Sequence, residues 1–92
     1  MVVMILENVP TSLRGELSRW MLEPKPGVFI GKLSARVRQK LWESVQNRID
    51  TGGAWLFYSA PNEQGFQVEK WGNTTREPVD YEGIILIRKP NA

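Results

Sequence analysis

Two segments of this chain carry apolar residues at helical spacing, and each lies between runs of strand-forming residues. Leu13, Leu17, Trp20 and Met21 share one face of a helix that Thr11 or Ser12 can cap and that runs to about residue 22. Val37, Leu41, Trp42, Val45 and Ile49 form the stripe of a second helix, capped by Ser34 and ending near residue 49. Pro24 and Pro26 stop the first helix, since neither has an N–H for the helix ladder, and Gly52 and Gly53 end the second. Both stripes must be buried, and the strands supply the surface. Residues 2–7 read as a buried strand, an apolar run closed by Asn8 and Pro10. Residues 27–33 form a short strand broken by Gly31, and 54–59 are dense in β-formers. Beyond a hairpin loop at 61–65, residues 66–71 alternate apolar and polar. The order is strand, helix, strand, helix and three strands, which predicts an α+β two-layer sandwich. The expected version is ferredoxin-like, a small antiparallel sheet with two helices on one face. The chain reads as a single domain over 1–92, with a core over 1–78 and a C-terminal strand and tail over 79–92. The last strand, Ile84, Ile85, Leu86 and Ile87, follows a loop with no core-forming residues. An apolar edge left alone would aggregate, so pairing with a neighbouring chain is expected there.

Ninety-two residues support one small core, and a 41% hydrophobic content with four Trp excludes disorder. Mean hydropathy is −0.34, and no apolar run approaches the roughly 20 residues of a membrane helix. No membrane partner is expected. Met1 leads straight into an apolar strand, without the basic leader and small-residue cleavage site of a signal peptide. The absence of Cys excludes disulfides and thiolate metal sites and fits a reducing cytoplasm. There is no His either, which removes the usual general base, Ser-His dyads and His-ligated zinc. A metal here would be a hard cation on oxygen ligands, namely magnesium, manganese or calcium.

The net charge of +2 hides an asymmetry. From Arg14 to Lys40 there are seven basic residues against two acids; from Leu41 to Ile87 there are three against seven. Such segregation is either a polyanion footprint on the first half or two solvated faces that mix in space. Among the basic residues, Arg14 beside Gly15 is the best phosphate candidate. It lies in the first turns of a helix, where free N–H groups favour anions, and a helical glycine costs about 1 kcal/mol relative to alanine unless close approach requires it. Arg36 and Lys40, four apart on the second helix, lie opposite its apolar stripe and can follow one strand's phosphates. Arg38 lies nearer the Val45–Ile49 edge, where a structural ion pair or a dimer contact is expected rather than DNA. Lys25, between two prolines, and Arg76, ahead of Pro78, are further backbone contacts. Trp20, Trp42 and Trp55 read as packing residues, and Trp71 as the exposed one. Glu7, at the end of the first strand, either bonds backbone N–H groups or a nearby Arg, or is half of a magnesium site completed by its copy across a dimer axis. Asn8 reads as a turn residue or an orienting ligand.

A series of short stretches, in order and spread over nearly the whole chain, resembles one family. They are Glu7-Asn8-Val9-Pro10, Leu13-Arg14-Gly15, Trp20-Met21-Leu22-Glu23 and Gly27-Val28-Phe29-Ile30-Gly31. Then come Ser34-Ala35-Arg36-Val37-Arg38, Leu41-Trp42-Glu43, Gly65-Phe66, Trp71-Gly72 and Arg76-Glu77-Pro78-Val79-Asp80 with Gly83. The chain resembles CRISPR-associated protein 2 of subtype I-E, the small non-integrase subunit of the spacer-acquisition complex. The resemblance implies a ferredoxin-like homodimer that bridges two dimers of the CRISPR integrase (CRISPR-associated protein 1) and holds duplex DNA, needing no cofactor for that scaffold role. It implies docking of the integrase by strand addition on Val79, Asp80, Ile84, Ile85, Leu86 and Ile87. Other branches of the family are magnesium-dependent nucleases with an aspartate at the end of the first strand, and that position is Glu7 here. Relatives also carry a basic residue just before Arg76, where this chain has Thr75.

Overall fold

An apolar run with no polar alternation suits a strand covered on both faces, and β1 (Val2–Glu7) takes the middle of the sheet, with Val2 to Leu6 all buried. The computed structural model describes residues 1–73. After β1 come α1 (Thr11–Ser18), β2 (Leu22–Lys25), β3 (Val28–Gly31), α2 (Ala35–Arg48), β4 (Gly53–Ser59) and β5 (Phe66–Gly72). The five strands form one sheet in the order β2-β3-β1-β4-β5. Every pairing is antiparallel. The β1 residue Met4 faces Phe29 on one side and Leu56 on the other, which fixes which side chains share a face. This is the expected α+β ferredoxin-like sandwich.

The two faces of the sheet are used differently. Val2, Met4, Leu6, Phe29, Ala54 and Leu56 pack against the helices through Leu13, Leu17, Leu41, Trp42 and Val45. The alternate residues Val3, Ile5, Val28 and Phe57 form a second apolar cluster built from strands alone, flanked by half-buried Ile30, Trp55 and Val68. The helix layer is also joined by polar contacts. Arg48 pairs with Glu16 and donates to Ser12 Oγ at 2.7 Å, while Ser44 donates to the same Glu16 carboxylate at 3.3 Å.

Several local expectations are corrected. The first helix stops at Ser18 rather than near residue 22, because its last turn tightens: Arg19 N–H donates to Glu16 O at 3.2 Å and Trp20 N–H to Leu17 O at 3.0 Å. The residues that follow, including Pro24, form the extra strand β2. A proline can sit there because β2 pairs only with β3, so an N–H is not required on its outer side. The N-cap of α1 is Pro10 with no side-chain cap; Ser12 is spent on Arg48 instead. Finally, the turn that buries Met21 sends Trp20 outward, leaving it 54% exposed rather than in the core. The second helix and the remaining described strands hold, except that α2 ends at a C-cap on Ile49 rather than on Gly52 and Gly53, and Gly53 opens β4. Ser34 Oγ caps α2 by accepting from Val37 N–H at 3.2 Å, and the 61–65 hairpin joins β4 to β5. The C-terminal strand at Ile84–Ile87 lies outside the described residues.

Candidate nucleic-acid interface

The C-terminal end of β1, the start of α1 and the β2–β3 turn converge on one shallow groove of about 220 Å³, lined by Glu7, Asn8, Val9, Arg14 and Gly27 among others. The turn is built by Gly27, whose φ of +82° is left-handed and whose carbonyl accepts from Leu6 N–H at 2.7 Å. A Cβ there would stand 2.6 Å from Leu6 O, so only glycine lets β1 and the turn close up. Asn8 also adopts a left-handed φ of 54°, and its side-chain amide donates to Thr51 Oγ1 at 3.0 Å.

Arg14 reaches the groove from α1 and is held there. Its Nη2 donates to Glu23 Oε2 at 2.6 Å, and the same oxygen accepts from Gly27 N–H at 2.8 Å. The Gly27 N–H chiefly, together with the Arg14 guanidinium and against a burial effect that opposes them, lowers the Glu23 pKa from its ordinary 4.5. The contact occupies one nitrogen of the guanidinium, and the Arg14 side chain stays 40% exposed, so further N–H donors face outward. Gly15 is exposed, and a Cβ on it would meet no atom within 4 Å. Nothing in the described chain demands a glycine there.

Arg36 and Lys40 lie on the outer side of α2, both exposed, while Leu41, Trp42 and Val45 of the same helix are buried. Neither has an ion pair among the described residues, and no acid sits in the first turn of α2 to compensate Arg36. Arg38 behaves otherwise: its guanidinium lies 3.7 Å above the centre of the Tyr58 ring, a structural contact within this chain. Tyr58 in turn donates to Glu69 at 3.2 Å, and its pKa is raised from 10.0, first by burial and then by that carboxylate. Lys25 is exposed at the end of β2. Arg76, Val79, Asp80 and Ile84–Ile87 lie outside the described residues.

The structure thus brings Glu7 and Arg14 to one groove, and puts Arg14, Arg36 and Lys40 on helices of the same layer. Sequence reasoning missed Glu23 as the partner of Arg14, because the two meet only through the β2–β3 hairpin that was read as the end of a helix. Among the described residues no group of three or more acidic, His or Cys side chains could hold a metal. Glu7 is the one carboxylate among the described residues that line this groove. The described residues of one chain therefore do not supply the oxygen cage magnesium takes.

A family model described as CRISPR-associated protein (Cas_Cas2CT1978) matches residues 1–86. The chain belongs to this family. The match takes in the whole described sheet and both helices, and extends to Leu86, through most of the expected docking strand. Membership makes this CRISPR-associated Cas2 family chain a component of a CRISPR system. It also agrees with a fold whose described helices are all too short and too polar to cross a membrane.

Proposed function

We propose that this Cas2 family chain is the duplex-DNA platform of the CRISPR adaptation machinery, a homodimer that bridges integrase dimers and grips protospacer DNA by its phosphates. The observation that carries the DNA part is the pair Arg36 and Lys40, two exposed cations one helical turn apart with no carboxylate partner among the described residues. Arg14 on the neighbouring helix α1, fixed by Glu23 of β2, adds a third contact, and Lys25 and Arg76 extend the footprint. Contacts of this kind position a duplex and read no bases. The strand-only apolar cluster around Val3, Ile5, Val28 and Phe57 supports a second copy seated on the helix-free face. Residues 79–87 then supply the strand that docks the integrase.

The test is duplex affinity against salt for the protein and for the double variant Arg36→Ala with Lys40→Ala. Each lost phosphate contact lowers the slope of log K against log salt by about 0.9, so the double variant should lose about 1.8 units. An unchanged slope overturns the platform. A nuclease reading is favoured by one observation, that Glu7 shares a groove with Arg14. Magnesium-dependent cleavage of DNA or RNA that Glu7→Ala abolishes would move the chain to the enzyme class, and equal cleavage by both proteins removes Glu7 from consideration.

A further inference from the structure

At the other end of α1 from the Glu7 groove, the segment between α1 and β2 opens a second shallow cavity of about 390 Å³, lined by Arg19, Trp20, Leu22, Ile30 and Lys32 among others. That volume lies within the roughly 300–1,000 Å³ common for ligand sites. Trp20 is 54% and Leu22 77% exposed, a cost that a small domain does not bear for packing. The platform under them is rigid. Trp20 N–H donates to Leu17 O at 3.0 Å and Met21 N–H to the same oxygen at 2.9 Å, while the Met21 side chain anchors in the core at 5% exposure. Gly31 of β3 backs the segment so closely that a Cβ would lie 2.9 Å from Met21 Cγ and 3.2 Å from Trp20 O.

The charge around this aromatic is one-sided. Among the described residues the lining includes Arg19 and Lys32 and no carboxylate. Neither cation has an ion pair among the described residues. A peptide adding as a strand is disfavoured, because the β2 edge carries Pro24 and an irregular register between Leu22 and Lys25. What suits an exposed indole between two uncompensated cations is a planar ring flanked by phosphates.

We propose that this cavity binds single-stranded nucleic acid, with one base stacked on Trp20 and the adjoining phosphates on Arg19 and Lys32. The idea rests on the nucleic-acid reading above only in the class of ligand, since its residues are separate from Arg14, Arg36 and Lys40. The base lies on the indole face and against Leu22, which explains why both stay outside the core.

Binding of a labelled oligothymidylate of about ten nucleotides, measured by anisotropy on the full-length protein, tests this. Trp20→Leu should weaken strand binding about tenfold or more, and Trp20→Phe, which keeps a ring, should restore much of it. Duplex affinity should be the same in both variants. Arg19→Ala with Lys32→Ala should lower the salt slope for the strand by about 1.4 units. Because Trp20 is exposed, circular dichroism of the variants should match the parent. Strand affinity unchanged in Trp20→Leu overturns the proposal, as does a change in sedimentation, which would make the cavity a contact between copies. Loss of strand binding with duplex binding intact leaves the platform standing. If the parent binds duplex but no strand, only this inference fails; if it binds neither, both do.

Discussion

Glu23 decides what Arg14 can do. One carboxylate oxygen takes both the guanidinium and the Gly27 N–H, tying the start of α1 to the β2–β3 turn and aiming Arg14 into the groove. Glu23→Gln keeps an acceptor for Gly27 but removes the charge, and should cost about 1 kcal/mol. For a domain of this size that is a fall in melting temperature of about 4–8 °C, read by calorimetry at neutral pH. The sign with pH follows from the lowered pKa. The unfolded carboxylate titrates near 4.5 and the folded one below it, so the contribution is complete above about pH 4.5 and fades as pH falls through the folded value. Parent and variant should therefore converge in stability in acid, and a constant gap down to low pH would mean that the ion pair is not the source.

At the scale of elements, α1 and β2 share a boundary that local propensity places wrongly. Leu13, Leu17 and Met21 are buried as the helical stripe predicts, but Met21 reaches the core from a turn beyond the helix. Apolar spacing alone does not distinguish the two, since an apolar residue just past a helix end can drop onto the same core. Proline stops a helix, but it also marks an unpaired strand edge, and Pro24 takes that second role in β2. That second role has a consequence. Pro24→Val restores an N–H to the β2 edge and should promote edge-to-edge association. Light scattering on heating should show it at lower temperature or concentration than in the parent; identical curves would show that Pro24 does not guard the edge. The second helix is legible in its cap and stripe, which agree, although it ends on Ile49 rather than on Gly52 and Gly53. That agreement also made the outer position of Arg36 and Lys40 legible.

At the scale of the molecule, among the described residues, the helices cover one face of a five-stranded sheet and strands alone build the other apolar cluster. If a second copy sits there, a carboxylate placed on it would be buried without a partner. Val68, half-buried and facing Phe57 across the β4–β5 pair, is the position to test. Val68→Asp should weaken self-association by at least about tenfold in sedimentation while leaving circular dichroism unchanged. A dimer as tight as the parent's would place the copy elsewhere.

Composition and period by themselves determined that this chain builds an α+β sandwich without His or Cys chemistry, and they located the α2 cations and the Glu7 strand end. These are one-dimensional properties: a stripe, a cap or a missing residue type has the same meaning wherever the segment lies. Only the tertiary structure decided that Glu23 holds Arg14, that Trp20 faces outward beside Arg19 and Lys32, and that Arg38 rests on Tyr58. Each of these joins residues from different elements. Their distances are set by sheet register and by the β2–β3 hairpin, which depend on how every strand pairs at once rather than on any local pattern.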